Sequence, residues 1–123
     1  DLTPYSRGMG AMGLPGDLSS SSRFIRAAFT KLNSVSGPTE TESVGQFFHI
    51  LSSVAQQRGC VRLPGGKNEY TLYSSCCTDS GVYYYATGTN RSLTAVDMHR
   101  EDLSGSALLR WHLLNREDIL RQN

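Results

Sequence analysis

YSRGMGAMGLPGDLSSSSRFIRAAF, residues 5–29, runs from a glycine-rich stretch through a turn and a serine run into an amphipathic pattern. Gly8, Gly10, Gly13, Gly16 and Pro15 are too dense for a regular helix and imply an irregular backbone that makes tight turns. Met9 and Ala11 alternate with glycine within it and, with Leu14, suit a short strand whose glycines let another backbone or a ligand approach closely. Leu14-Pro15-Gly16-Asp17 reads as a type II turn, with Pro fixing one torsion and Gly taking the positive one. The serines at 19–22 supply N-cap candidates, and Phe24, Ile25, Ala28, Phe29 and Leu32 recur at helical spacing. Arg23 is thereby placed in the first turn of a helix, where the macrodipole disfavours a cation by about a few tenths of a kcal/mol. Something must compensate it.

Outward from this stretch, Gly37-Pro38 breaks the chain, and Thr39 with Glu42 forms a capping-box signature for a second helix. Val44, Phe47, Phe48, Leu51, Val54 and Ala55 fall on one stripe, Arg58 complements the C-terminus, and Gly59 supplies the expected left-handed cap. From Lys67 the pattern changes to strands over 69–77, 81–87 and 92–98, joined by short polar turns, so consecutive hairpins are the simplest reading. Tyr83, Tyr84 and Tyr85 place an aromatic on each side of the middle strand, which calls for cover on both faces. The segment 107–114 is expected to be a further strand. The organisation expected is a single partial domain, 1–123, of class α+β: a Gly-rich loop or strand at 1–18, two helices at 19–59 and mainly strands at 67–114.

The balance of 12 basic and 11 acidic residues, with no basic run, favours neither a nucleic-acid nor a membrane partner. No apolar stretch approaches the roughly 20 residues of a membrane span, so a soluble, cytoplasmic chain is expected. Cys60, Cys76 and Cys77 are odd in number, and two are adjacent, which argues against a disulfide framework. His49, His99 and His112 lack zinc-ligand spacing, so no metal or cofactor is expected.

Two readings of Arg23 stand side by side. One is an ion pair with Asp17 across the turn, with the stem packed on Phe24 or a neighbour. The other is a guanidinium held in a cleft, where a fixed cation stabilises a thiolate or an oxyanion. Cys76 and Cys77 have no partner at a recognised catalytic spacing and read as buried, inert thiols. His49 reads as a hydrogen-bonded structural histidine, and capping accounts for the serine run.

The segment YSRGMGAMGLPGDLSSSSRFIRAAFTKLNS closely resembles the choloylglycine hydrolases, the bile salt hydrolase and penicillin V acylase group of N-terminal nucleophile hydrolases. ESVGQFFHILSSVAQQRG and EYTLYSSCCTDSGVYYYATGTNRSLTAVDM follow in the order seen in the C-terminal part of those enzymes, so the resemblance covers most of residues 3–103. The bile salt hydrolase branch is the closer likeness, through SSSSRFIRAAFTKLNS, FFHIL and YSSCC; penicillin V acylase is the near alternative, and a non-catalytic scaffold or interaction fragment is a third. The resemblance implies a four-layer αββα sandwich to which this chain contributes the C-terminal part. It also implies a linear amide substrate and an N-terminal Cys nucleophile, ringed by two arginines, an aspartate and asparagines. The arginine of the family's SRF tripeptide matches Arg23, which is therefore the expected catalytic residue. Nothing here matches the other members of that set: residue 1 is Asp, Thr3 is not terminal, and neither Cys76 nor Cys77 can replace an N-terminal nucleophile. The chain alone is accordingly expected to be inactive without the missing N-terminal part, and the complete enzyme to be a homo-oligomer.

Overall fold

The computed structural model describes residues 13–123; Met9, Ala11 and the strand expected through them lie outside the described residues. Helix α1, Ser20–Asn33, begins at Ser19, whose hydroxyl accepts the Ser22 N–H and so satisfies one of the donors a helix start leaves open. Helix α2, Glu40–Ser52, has the full capping box: Thr39 accepts from the Glu42 N–H, and the Glu42 carboxylate accepts from the Thr39 N–H. It ends earlier than its apolar stripe suggested. Ser53 turns its N–H and hydroxyl back onto carbonyls of the last turn, bonding Ile50 O through Oγ at 2.6 Å, so Val54 and Ala55 leave the helix. Gly59 does adopt a positive φ of 94°, but in a separate turn rather than as the cap of α2.

The expected strand over 69–77 is split. Its first residue closes a small hairpin, β1 (Val61–Arg62) with β2 (Asn68–Glu69), around the tight turn Pro64–Gly66. The larger sheet is an antiparallel meander of β3 (Tyr73–Cys77), β4 (Val82–Thr87) and β5 (Thr94–Asp97) in that order. Register is set by pairs such as Cys76 with Tyr84 and Tyr84 with Ala95. The β3–β4 turn depends on Gly81, whose φ of 77° and whose contact with the His99 ring leave no place for a side chain.

Helix α2 packs against β3, and α1 packs on α2. On the α2 side of the sheet, the Tyr84 hydroxyl donates to Glu40 at 2.9 Å, and the Ser80 hydroxyl donates to the other oxygen of the same carboxylate at 3.0 Å. On the opposite face Tyr85 is only 4% exposed, whereas Tyr73 and Tyr83 are exposed, so that face is covered in part. Some of the cover is residue 114: the Leu114 N–H donates to the Tyr85 hydroxyl, and Asn90 donates to the Leu114 carbonyl. These bonds run to side chains rather than to a strand edge. The strand expected at 107–114 is therefore not formed.

The buried apolar core among the described residues consists of Val44, Phe48 and Tyr85. The apolar stripe of α1 is not part of it, since Phe24 is 73% and Leu32 81% exposed.

Candidate active site around Arg23

Two helices joined by a short break lie back to back, and this brings the start of α1 to the end of α2. Arg23, half-buried on the first turn of α1, reaches across and donates through Nε to the carbonyl of Val54 at 2.8 Å. That acceptor lies just beyond the C-terminus of α2, the negative end of its macrodipole, and offsets the unfavourable position at the start of α1. Of the two readings of Arg23, the Asp17 ion pair is not formed. The Asp17 carboxylate instead accepts from Ser19 and from the Ser22 hydroxyl, bonds that hold it well below the usual carboxylate range. Among the described residues the Arg23 guanidinium has no carboxylate partner. Its Nε edge is fixed on a neutral carbonyl, which leaves the full positive charge to act on an anion brought against the other edge.

Arg26 holds the turn that leads into this helix, donating to the carbonyls of Pro15 at 3.0 Å and Asp17 at 2.7 Å. Gly16 does not take a positive φ, so the expected type II turn is replaced by a loop fastened from the helix. The loop after α2 is held equally firmly. The Gln56 N–H donates to the Thr71 hydroxyl at 2.8 Å, the Thr71 N–H returns to the Gln56 carbonyl at 3.1 Å, and Gln56 Nε2 reaches Leu18 O at 3.3 Å. Neither Arg26 nor Gln56 was marked by apolar periodicity. The polar run Gln56-Gln57-Arg58, directly after the stripe of α2, is the only trace that Gln56 leaves in the sequence.

The other candidates disperse. Cys76 faces α2, where burial first and then the neighbouring Cys77 and Glu40 raise its thiol pKa, so it stays a neutral thiol. Cys77 and Cys60 are exposed rather than buried, and all three cysteines are free. His49 is exposed on α2 instead of tied into the structure. A cavity of about 530 Å³ between α2 and the sheet is lined by Phe48, Ser52, Gln56, Tyr70 and Thr71 among others, and Arg23 is not one of its walls. No helix of the described residues is long and apolar enough to cross a membrane.

Comparison with known proteins places these features in a larger frame. The family model described as linear amide C-N hydrolases, choloylglycine hydrolase family, matches residues 1–116. The bile salt hydrolase/transferase of Lactiplantibacillus plantarum is 59% identical over 114 residues, which are 92% of this chain and 35% of that protein. The bile salt hydrolase/transferase of Clostridium perfringens is 41% identical over 108 residues, 87% of this chain and 33% of that protein. A crystal structure of a mutant conjugated bile acid hydrolase from Clostridium perfringens superposes with a TM-score of 0.83 at 37% identity, covering 95% of this chain and 36% of the other. Penicillin V acylase from Agrobacterium tumefaciens shares the fold, with a TM-score of 0.59 at 18% identity over 80% of this chain and 31% of its own. The shared arrangement is α+β, two helices followed by antiparallel strands. This chain spans about a third of the length of the curated relatives it matches.

Proposed function

This chain belongs to the choloylglycine hydrolase family of linear amide C-N hydrolases, and from that premise we propose that it is the C-terminal portion of a conjugated bile salt hydrolase. The nucleophile of that reaction is an N-terminal Cys in the portion that precedes this chain. Its thiolate attacks the amide carbonyl, the C–N bond breaks as the amine takes a proton from the α-ammonium group, and water then cleaves the thioester to free the acid. Arg23 contributes the fixed cation. A guanidinium close to the thiol favours its anion and lowers its pKa, so that more nucleophile is present near neutrality.

The observation that carries this reading is the Nε bond of Arg23 to Val54 O, which orients a guanidinium with no carboxylate partner among the described residues. The relatives' names supply the substrate, a bile salt. In the complete enzyme, Arg23→Ala is expected to lower glycine or taurine release from conjugated bile salts by about 10²-fold, the usual loss for one preorganised charge-stabilising donor. Unchanged release by a folded variant removes Arg23 from the reaction. Turnover of penicillin V ahead of glycocholate and taurocholate would assign the acylase branch instead. The family resemblance supports a homo-oligomeric complete enzyme.

A further inference from the structure

Arg23 is held by the carbonyl of Val54, and the loop that carries this carbonyl is tied to Thr71 and to the start of α1 through Gln56. Val54 lies outside α2; the peptide that carries its C=O is held on one side by the Ala55 N–H, which donates to Ser52 O at 3.3 Å, and runs on directly into Gln56. Gln56 is 7% exposed and is bonded on three sides. Its N–H and C=O form a reciprocal pair with the Thr71 hydroxyl and N–H, and its Nε2 donates to Leu18 O, immediately before the N-cap of α1. Thr71 is anchored in turn. A Cβ on Gly88, at the end of β4, would run into the Thr71 carbonyl, and the Gly88 N–H donates to Leu72 O at 2.9 Å. The segment leading into β3, the loop after α2 and the start of the helix that bears Arg23 therefore meet at one residue, through the backbone of Gln56 on one side and its side-chain amide on the other. Among the described residues Gln56 Oε1 is buried without a hydrogen-bond partner, an arrangement that costs stability.

We propose that Gln56 is a positioning residue for the amide hydrolysis: clamped by Thr71, it sets the Val54 carbonyl and the start of α1 in the relation that aims the Arg23 guanidinium. This rests on the reading of Arg23 as the cation beside the nucleophile. On this reading Gln56 acts through Arg23.

The test is the pH dependence of iodoacetamide alkylation of the N-terminal thiol, measured on the complete enzyme. The variants are Arg23→Ala, Gln56→Ala, Thr71→Val and Thr71→Ser. Removing the guanidinium should move the alkylation midpoint up by about one pH unit or more, the lower end of the effect of an adjacent opposite charge. Gln56→Ala should move it in the same direction by at least half as much. Thr71→Val, which keeps the shape but removes the hydroxyl acceptor, should do likewise, and Thr71→Ser should restore the midpoint. A Gln56 side chain that merely stabilised the fold would lower the melting temperature and leave the midpoint in place. If Arg23→Ala shifts the midpoint and folded Gln56→Ala and Thr71→Val do not, the positioning role is overturned while Arg23 stands. If Arg23→Ala itself has no effect, the reading of the site fails and takes the clamp with it. Should Gln56→Ala fail to fold, the Thr71 pair decides alone.

Discussion

At the scale of the residue, the entry to α1 is built from charges that avoid the obvious pairing. Asp17 accepts from Ser19 and Ser22 at the positive end of the helix, Arg26 fastens the loop carbonyls, and Arg23 turns away to Val54. Losing the cap hydroxyl in Ser19→Ala should cost about 1 kcal/mol of unfolding free energy, read by urea denaturation of the complete enzyme. The Asp17 carboxyl has a depressed pKa in the folded state, so its contribution is present above its ordinary value of 3.8 and is lost as pH falls below it. Ser22→Ala removes one of the bonds that depress it, and stability should then depend less steeply on pH in the acid range. An unchanged acid slope would show that Ser22 does not tune this carboxylate. Gly88 offers a backbone test, because any Cβ there meets the rigid Thr71 carbonyl. Gly88→Ala should destabilise by about 1–3 kcal/mol through overpacking. Arg23 is marked in the sequence by the SRF tripeptide, whereas its hydrogen-bond partner is not. A carbonyl beyond a helix end has no side-chain signature, and only the helix–helix geometry brings residue 54 to residue 23.

At the scale of the element, legibility followed the range of the interactions. The capping box of α2 was readable because Thr39 and Glu42 are three residues apart and bond to each other's backbone and side chains. Glu42 is held below its ordinary value of 4.5 by its hydrogen bonds to Thr39, so the box stabilises above that pH and weakens as acid protonates the carboxylate. Glu42→Gln should therefore flatten the stability profile below pH 4.5, and a profile identical to the parent's would contradict the assignment. The end of α2 was misplaced because apolar periodicity continues through Val54 and Ala55 although Ser53 has already closed the helix. The meander was legible from its turns, but the split at residues 70–72 was not. Thr71 leaves the sheet to bind Gln56, a contact fifteen residues away in sequence that no local pattern announces. The tail at 107–114 has apolar residues enough for a strand, yet it forms none, and its last residue, Leu114, bonds through its backbone to the Tyr85 and Asn90 side chains.

At the scale of the whole molecule, the described residues form a helical layer on one face of a three-stranded sheet, with a thin core and much apolar surface left open. Phe24 and Leu32 on α1 and Tyr73 and Tyr83 on the far face of the sheet are exposed, as expected if further layers of a sandwich pack there. The chain by itself should bind a hydrophobic dye or self-associate; a sharp unfolding transition of a monomer that binds no dye would argue against partner layers. As proposed, these residues form the C-terminal portion of a bile salt hydrolase and bring Arg23 to its reaction. The most direct test of that proposal joins this chain to the N-terminal portion of the Lactiplantibacillus plantarum relative and measures glycine released from glycocholate, with and without Arg23→Ala. Glycine release is expected from the hybrid, falling by about 10²-fold in the variant. A folded hybrid that releases no glycine, or one indifferent to the loss of Arg23, would contradict it.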